Sequence, residues 1–249
     1  THLEEVLKSY DIGKQDEFMI KKGYKIVHCL ENEYDATISF QGSIPNGTSL
    51  SGHSDLDIRI EFPKDSFRTL ENMIEDVTVY FKKEFCDTDL VKVRKQNSSA
   101  GLIFDDNGKE IIIDIVPARR DNYLEGANTY NLYKRNRGKT ENPTRVKINP
   151  EKQNDFGVCS KEEKNVIRLL KLLKYQEELP LKSILIKEFT KKVFDENCGN
   201  IPFELKDQVL MTLDYIESNI ETAKIASPDN SNNILTNQLS DRKKKIIAN

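Results

Sequence analysis

The sequence predicts an α+β protein: a mixed sheet carrying helices, followed by a helical lobe. Three patterns predict it. The runs ATISF (36–40) and DLDIRIEF (55–62) alternate apolar and polar residues, the period of a half-buried strand. A later pair of apolar runs meets at Asn107-Gly108, a dipeptide suited to a tight hairpin. From Lys161 onward the apolar residues recur three and four apart, the spacing of amphipathic helices. The expected division is residues 1–150 for the sheet-bearing core and 151–249 for the helical lobe.

Taken in order, Lys14 to Tyr34 reads as a helix with Phe18, Tyr24, Ile26, Val27, Leu30 and Tyr34 as its apolar face. The ATISF strand follows, then Gly42-Ser43, then the second strand. Asp65 to Phe85 reads as a helix with Phe67, Leu70, Ile74, Val77 and Phe81 at core spacing. Leu90 to Arg94 is a strand. The hairpin then runs from Ser98–Phe104, through Asn107-Gly108, into Glu110–Val116. Pro117 to Pro150 lacks periodicity and carries Tyr130, Tyr133 and the basic run KRNRGK (134–139). It reads as a connection between lobes that either lines a ligand cleft or is simply solvated. Helices are expected over the Lys161 block, Ser183–Phe194 and Glu204–Ile220, then a turn-rich segment SPDNSNN (227–233) and the start of a last helix in DRKKKIIAN.

The chemistry concentrates between Gln41 and Ile60. Successive strand side chains point to opposite faces, so Asp55 and Asp57 share one side while Leu56, Ile58 and Ile60 share the other. Neighbouring carboxylates repel unless a cation lies between them, and Mg²⁺ favours oxygen ligands that it shares with phosphates. Asp114 lies in a strongly apolar strand, where an unpaired charge is expensive, and supplies a third carboxylate. Gly42 permits close backbone approach, and Ser43 offers a hydroxyl and an N–H to an anion beside an expected helix N-terminus.

Composition bounds the alternatives. The chain has 249 residues, 37% hydrophobic and 32% charged, with a net charge of −3. No apolar run reaches the ~20 residues that span a bilayer, and THLEEVLKSY is too polar for a secretory signal, so a cytoplasmic protein is expected. Cys29, Cys86, Cys159 and Cys198 are scattered without CxxC and read as free thiols. The acidic balance argues against a protein gripping duplex nucleic acid through a basic domain.

The Gly-Ser turn, the gap, the DLD pair and the later strand aspartate resemble the nucleotidyltransferase superfamily that includes DNA polymerase beta and the CCA-adding enzymes. More narrowly, DIVPARR, the block NVIRLLKLLKYQEELPLKSILIKEF and the SPDNSNNI segment resemble the CD-NTases, the SMODS-type synthases related to cyclic GMP-AMP synthase and, more distantly, oligoadenylate synthase. The resemblance spans about Asp16 to Asn249. It implies a polymerase-beta-like core plus a helical lobe with the active site in the cleft, and the first long helix as a spine joining the lobes. It implies two Mg²⁺ ions, with Mn²⁺ as substitute, held by Asp55, Asp57 and Asp114. It also implies a triphosphate contact from Lys174, with Lys171 as substitute, and a nucleotide contact near Asn233. Relatives have Asp-Pro where this chain has Ser227-Pro228, which weakens the last assignment. The implied substrates are nucleoside triphosphates: ATP, GTP or both, with UTP and CTP as further candidates. The implied product is a cyclic di- or trinucleotide of bacterial antiphage (CBASS) signalling, with regulatory protein partners from an antiphage operon. Transfer to another acceptor (a linear oligoadenylate, a tRNA end, a small molecule or a protein) and a catalytically silent nucleotide-binding scaffold are the alternatives. Asn97 and Ser98 are nominated for base choice. The cysteines include no cluster comparable to the zinc-binding insertion of the animal cyclic GMP-AMP synthase.

Overall fold

A computed structural model describes residues 1–121, 128–135, 144–157 and 159–248. The chain resolves into two compact units. One comprises residues 12–45 and 51–154; the other comprises 1–11, 46–50 and 155–249. The sequence places one boundary, near residue 150. The units instead interleave, because the first helix and a five-residue stretch of the loop after Gly42 cluster with the C-terminal helices.

In the sheet-bearing unit, strands β1 (Thr37–Gln41), β2 (Leu56–Phe62), β3 (Leu90–Lys95), β4 (Ala100–Asp106) and β5 (Lys109–Arg120) assemble in the order β1-β2-β5-β4-β3. β2 and β5 are parallel, with Asp57 level with Asp114, while β1, β4 and β3 run antiparallel to their neighbours. The sheet is therefore mixed, as expected. The turn between β4 and β5 has positive φ at both Asn107 (54°) and Gly108 (86°), the demand that the Asn-Gly pair meets.

Helices α1 (His2–Ser9), α2 (Lys14–Glu33) and α3 (Leu70–Lys83) precede β3 in the chain. α1 belongs to the other unit, whereas α2 and α3 pack on one face of the sheet. Met19, Ile26 and Leu30 of α2 and Met73, Val77 and Phe81 of α3 meet Leu56, Ile58, Ile60, Leu102, Phe104, Ile113 and Ile115 in one core. Gly23 lets α2 lie close to β2: a Cβ there would fall 2.4 Å from Leu56 Cδ2 and 3.0 Å from Phe40 Cε1. Tyr24, expected on the apolar face, is 62% exposed. It stands edge-on to Phe40 instead, and Met19 takes the inward position. α3 starts at Leu70, later than expected, because Thr69 caps it by accepting the Asn72 N–H at 3.0 Å.

The stretch after Pro117 is not simply irregular. β5 continues to Arg120, and β6 (Tyr130–Lys134) and β7 (Thr144–Ile148) extend the sheet beside it. Residues 136–139 of the basic run lie outside the described residues.

The division falls within α4 (Pro150–Gly157), and the other unit continues with α5 (Lys161–Gln176), α6 (Ser183–Glu196) and α7 (Leu205–Asn219). α5 begins with a capping box: the Glu163 N–H donates to Ser160 Oγ (3.1 Å) and the Ser160 N–H donates to Glu163 Oε2 (2.6 Å). Val166, Ile167 and Leu170 pack with Leu185, Ile186, Phe189 and Ile216. A smaller cluster joins Leu50 to Leu7, Leu169 and Leu172, which is how residues 46–50 are held. The segment expected as turns is a hairpin, β8 (Ala226–Ser227) with β9 (Asn230–Ile234), and α8 (Asp241–Ile247) closes the chain. The four cysteines are free. Among the described residues, no helix is long and apolar enough to cross a membrane.

Candidate active site

β2 lays Leu56, Ile58 and Ile60 into the core, so Asp57 projects to the other face, with Asp55 just ahead of the strand. Its partner in the parallel ladder is Asp114. The three carboxylates act on one another electrically. Burial first, and then the charges of Asp114 and Asp55, raise the Asp57 carboxyl to about 7. Asp114 is also pushed up, by burial first and then by Asp55, against the opposing influence of Arg94 and Gln96. Hard oxygen donors level on adjacent strands, both raised by neighbouring carboxylate charge, suit a divalent cation. Among the described residues no three His, Cys, Asp or Glu side chains close around one point. The fit therefore rests on strand register and charge, not on preformed ligand geometry.

Gly42 follows the end of β1. Gln41 pairs with Asp57, and Gly42 then turns with φ 84°. A Cβ at Gly42 would lie 2.8 Å from Asp57 Oδ2. Both the left-handed backbone and the closeness to Asp57 call for glycine. Ser43 opens a series of turns through Gly47 rather than a helix, so the expected helix N-terminus is absent.

The helical unit's lysines differ from each other. Lys171 is 4% exposed and donates to the Thr48 carbonyl at 2.8 Å. Burial lowers its amine to about 8, with Lys174 and Arg168 adding repulsion. Together with Arg168, which donates to the Ser49 carbonyl (3.1 Å) and the Leu7 carbonyl (3.0 Å), Lys171 ties down residues 48–49. Lys174 is half-buried, donates to Ser183 Oγ at 3.3 Å and lies over the Tyr175 ring. Burial lowers its amine as well. Asn233 lies on β9, where its Oδ1 accepts from Gln238 Nε2 at 3.1 Å.

Two neighbours of the carboxylates escaped sequence reasoning. Arg59 shares their strand face and is 1% exposed. It donates to Glu61 Oε1 (2.7 Å), Gln153 Oε1 (3.0 Å) and Gln41 Oε1 (3.4 Å), which steadies the residue preceding Gly42. A charged residue inside DLDIRIEF, in phase with the aspartates, was the available signal. Gln96 is one residue before the nominated Asn97 and Ser98, and it is the one that reaches Asp114. The Asn97 carbonyl instead accepts the Arg135 N–H at 2.9 Å. A cavity of about 270 Å³ borders Asp55, lined also by Asp16, His53, Ser54, Lys109 and Glu110.

No protein-family model matches the chain, and no curated protein matches it. Solved structures do. The Escherichia coli MS115-1 CdnC:HORMA-deltaN complex contains a chain 17% identical, with TM-score 0.71, over 99% of this chain and 85% of that one. CdnC of the same strain with ATP is similar at TM-score 0.67 and 17% identity, over 94% and 82%. The Elizabethkingia meningoseptica CdnE cyclic dinucleotide synthase with GTP and Apcpp is similar at TM-score 0.67 and 15% identity, over 92% and 89%. The chain has the fold of these synthases.

Proposed function

We propose that this protein, built on the fold of the CD-NTases, is a metal-dependent nucleotidyltransferase that joins nucleoside triphosphates into a cyclic di- or trinucleotide with release of pyrophosphate. The observation that carries the reading is the register of Asp57 beside Asp114, with Asp55 adding its charge to both. Supporting it, the neighbours of like fold include a cyclic dinucleotide synthase holding GTP and a triphosphate analogue.

In this reading Asp55, Asp57 and Asp114 hold two divalent cations, Mg²⁺ by preference. Those ions, when bound, neutralise the triphosphate and lower the pKa of the acceptor hydroxyl. The chain's own residues do the rest. Asp114 orients the attacking hydroxyl and accepts its proton as that oxygen bonds to the α-phosphorus and pyrophosphate departs in line. Gly42 leaves backbone space against Asp57 for the polyphosphate, and Ser43 donates to it. Lys174 is the cation for the outgoing phosphates, since the Lys171 amine is engaged with Thr48. Asn233 is assigned a lesser contact to nucleotide. The antiphage role and regulatory partners rest on resemblance, and one neighbour was solved with a HORMA protein.

Incubation with ATP, GTP, CTP and UTP, read by mass spectrometry and pyrophosphate release, tests the reading. A phosphatase-resistant cyclic product lost in an Asp55→Ala/Asp57→Ala variant supports it. A linear product or a labelled RNA or protein redirects it to another acceptor. Equal pyrophosphate release by the wild type and the double variant rules it out.

A further inference from the structure

One side chain from the β3–β4 hairpin reaches the third carboxylate, and a second holds it in place. Gln96 Nε2 donates to Asp114 Oδ1 at 2.8 Å. The other end of that amide is held as well: Ser99 Oγ donates to Gln96 Oε1 at 3.1 Å, and the Gln96 N–H donates to the Ser99 carbonyl at 2.8 Å. With its carbonyl oxygen taken by Ser99, the amide presents its NH₂ to Asp114. Space for this is left by Gly101, which pairs with Asp114 on β5 and with Arg94 on β3. A Cβ on Gly101 would fall 2.6 Å from Gln96 Nε2 and 3.0 Å from Arg94 Nε. The backbone of Gly101 is ordinary extended strand, since its φ is not positive. What makes glycine necessary is the passage of two side chains over it.

We infer that Gln96, oriented by Ser99 and admitted by Gly101, is a positioning residue: it holds Asp114 by one oxygen so that the other faces the reacting hydroxyl and the cation. The inference rests on the nucleotidyltransferase reading. Partners that orient a metal-binding carboxylate typically change affinity or activity about 10–100-fold when removed.

The test compares wild type with Gln96→Leu, Gly101→Ala and Asp114→Asn. Mn²⁺ binding is followed by electron paramagnetic resonance without nucleotide, kcat and KM by pyrophosphate release, and folding by thermal melting. Gly101→Ala is the discriminating variant, because its Cβ meets side-chain atoms alone among its nearest neighbours: Gln96 Nε2, Arg94 Nε and, at 3.1 Å, Arg94 Cγ, all on long side chains that can turn aside. Expected are a melting temperature close to wild type, Mn²⁺ affinity weakened about tenfold, and kcat reduced about 10–100-fold with KM for nucleotide little changed. Gln96→Leu should match it. If Asp114→Asn is inactive while Gln96→Leu and Gly101→Ala keep wild-type kcat and Mn²⁺ affinity, this inference fails and the enzymatic reading survives. If wild type neither binds Mn²⁺ nor releases pyrophosphate, both fail.

Discussion

Asp57 offers a measure of what burial and its neighbouring carboxylates together cost the free protein. Its carboxyl rises from an ordinary 3.8 to about 7, through burial and then through Asp114 and Asp55. A raised carboxyl favours the fold while it holds its proton. That contribution is complete below about pH 4 and is lost as pH climbs through about 7. At about 1.4 kcal/mol for each pH unit, the loss is on the order of 4 kcal/mol. Asp57→Asn keeps the shape and cannot ionise. With EDTA present, its melting temperature should lie close to wild type at pH 4.5 and exceed it at pH 8.5 by about 8–16 °C, taking about 2–4 °C per kcal/mol at this chain length. Adding Mg²⁺ at pH 8.5 should shrink the gap by stabilising the wild type alone. Parallel melting curves for the two proteins across this pH range would falsify the claim that burial and the neighbouring carboxylates together raise Asp57 in the free protein.

Other outcomes follow from specific contacts. Arg59→Met should cost about 3–5 kcal/mol in chemical denaturation because it leaves Glu61 without its buried partner, while Arg59→Met/Glu61→Met should cost less than the single change. Leu50→Ala should cost about 2–5 kcal/mol, since Leu50 is fully buried among Leu7, Leu169 and Leu172. Phe203→Ala, at a side chain 96% exposed, should stay within about 0.5 kcal/mol of wild type. Gly42→Ala should abolish pyrophosphate release and lower the melting temperature, because the added carbon meets Asp57 in a left-handed backbone.

The alternation of DLDIRIEF, the Asn-Gly turn and the helical spacing after Lys161 were legible by themselves. Period and turn chemistry are local, and they suffice to put Asp57 on the strand face opposite Leu56, Ile58 and Ile60 and to bring back a strand carrying Asp114, whereas Asp55, expected on the strand, lies just ahead of it. Tertiary structure alone decided that β2 and β5 lie parallel with Asp57 level with Asp114, since register between distant strands depends on the whole sheet. It also decided that Lys171, indistinguishable in spacing from a solvated lysine, is spent on the Thr48 carbonyl. The same holds for Gln96, whose reach to Asp114 depends on an opening at Gly101 that no local pattern announces. Faces and turns follow from neighbouring residues along the chain, but which polar atoms meet across strands is a property of packing.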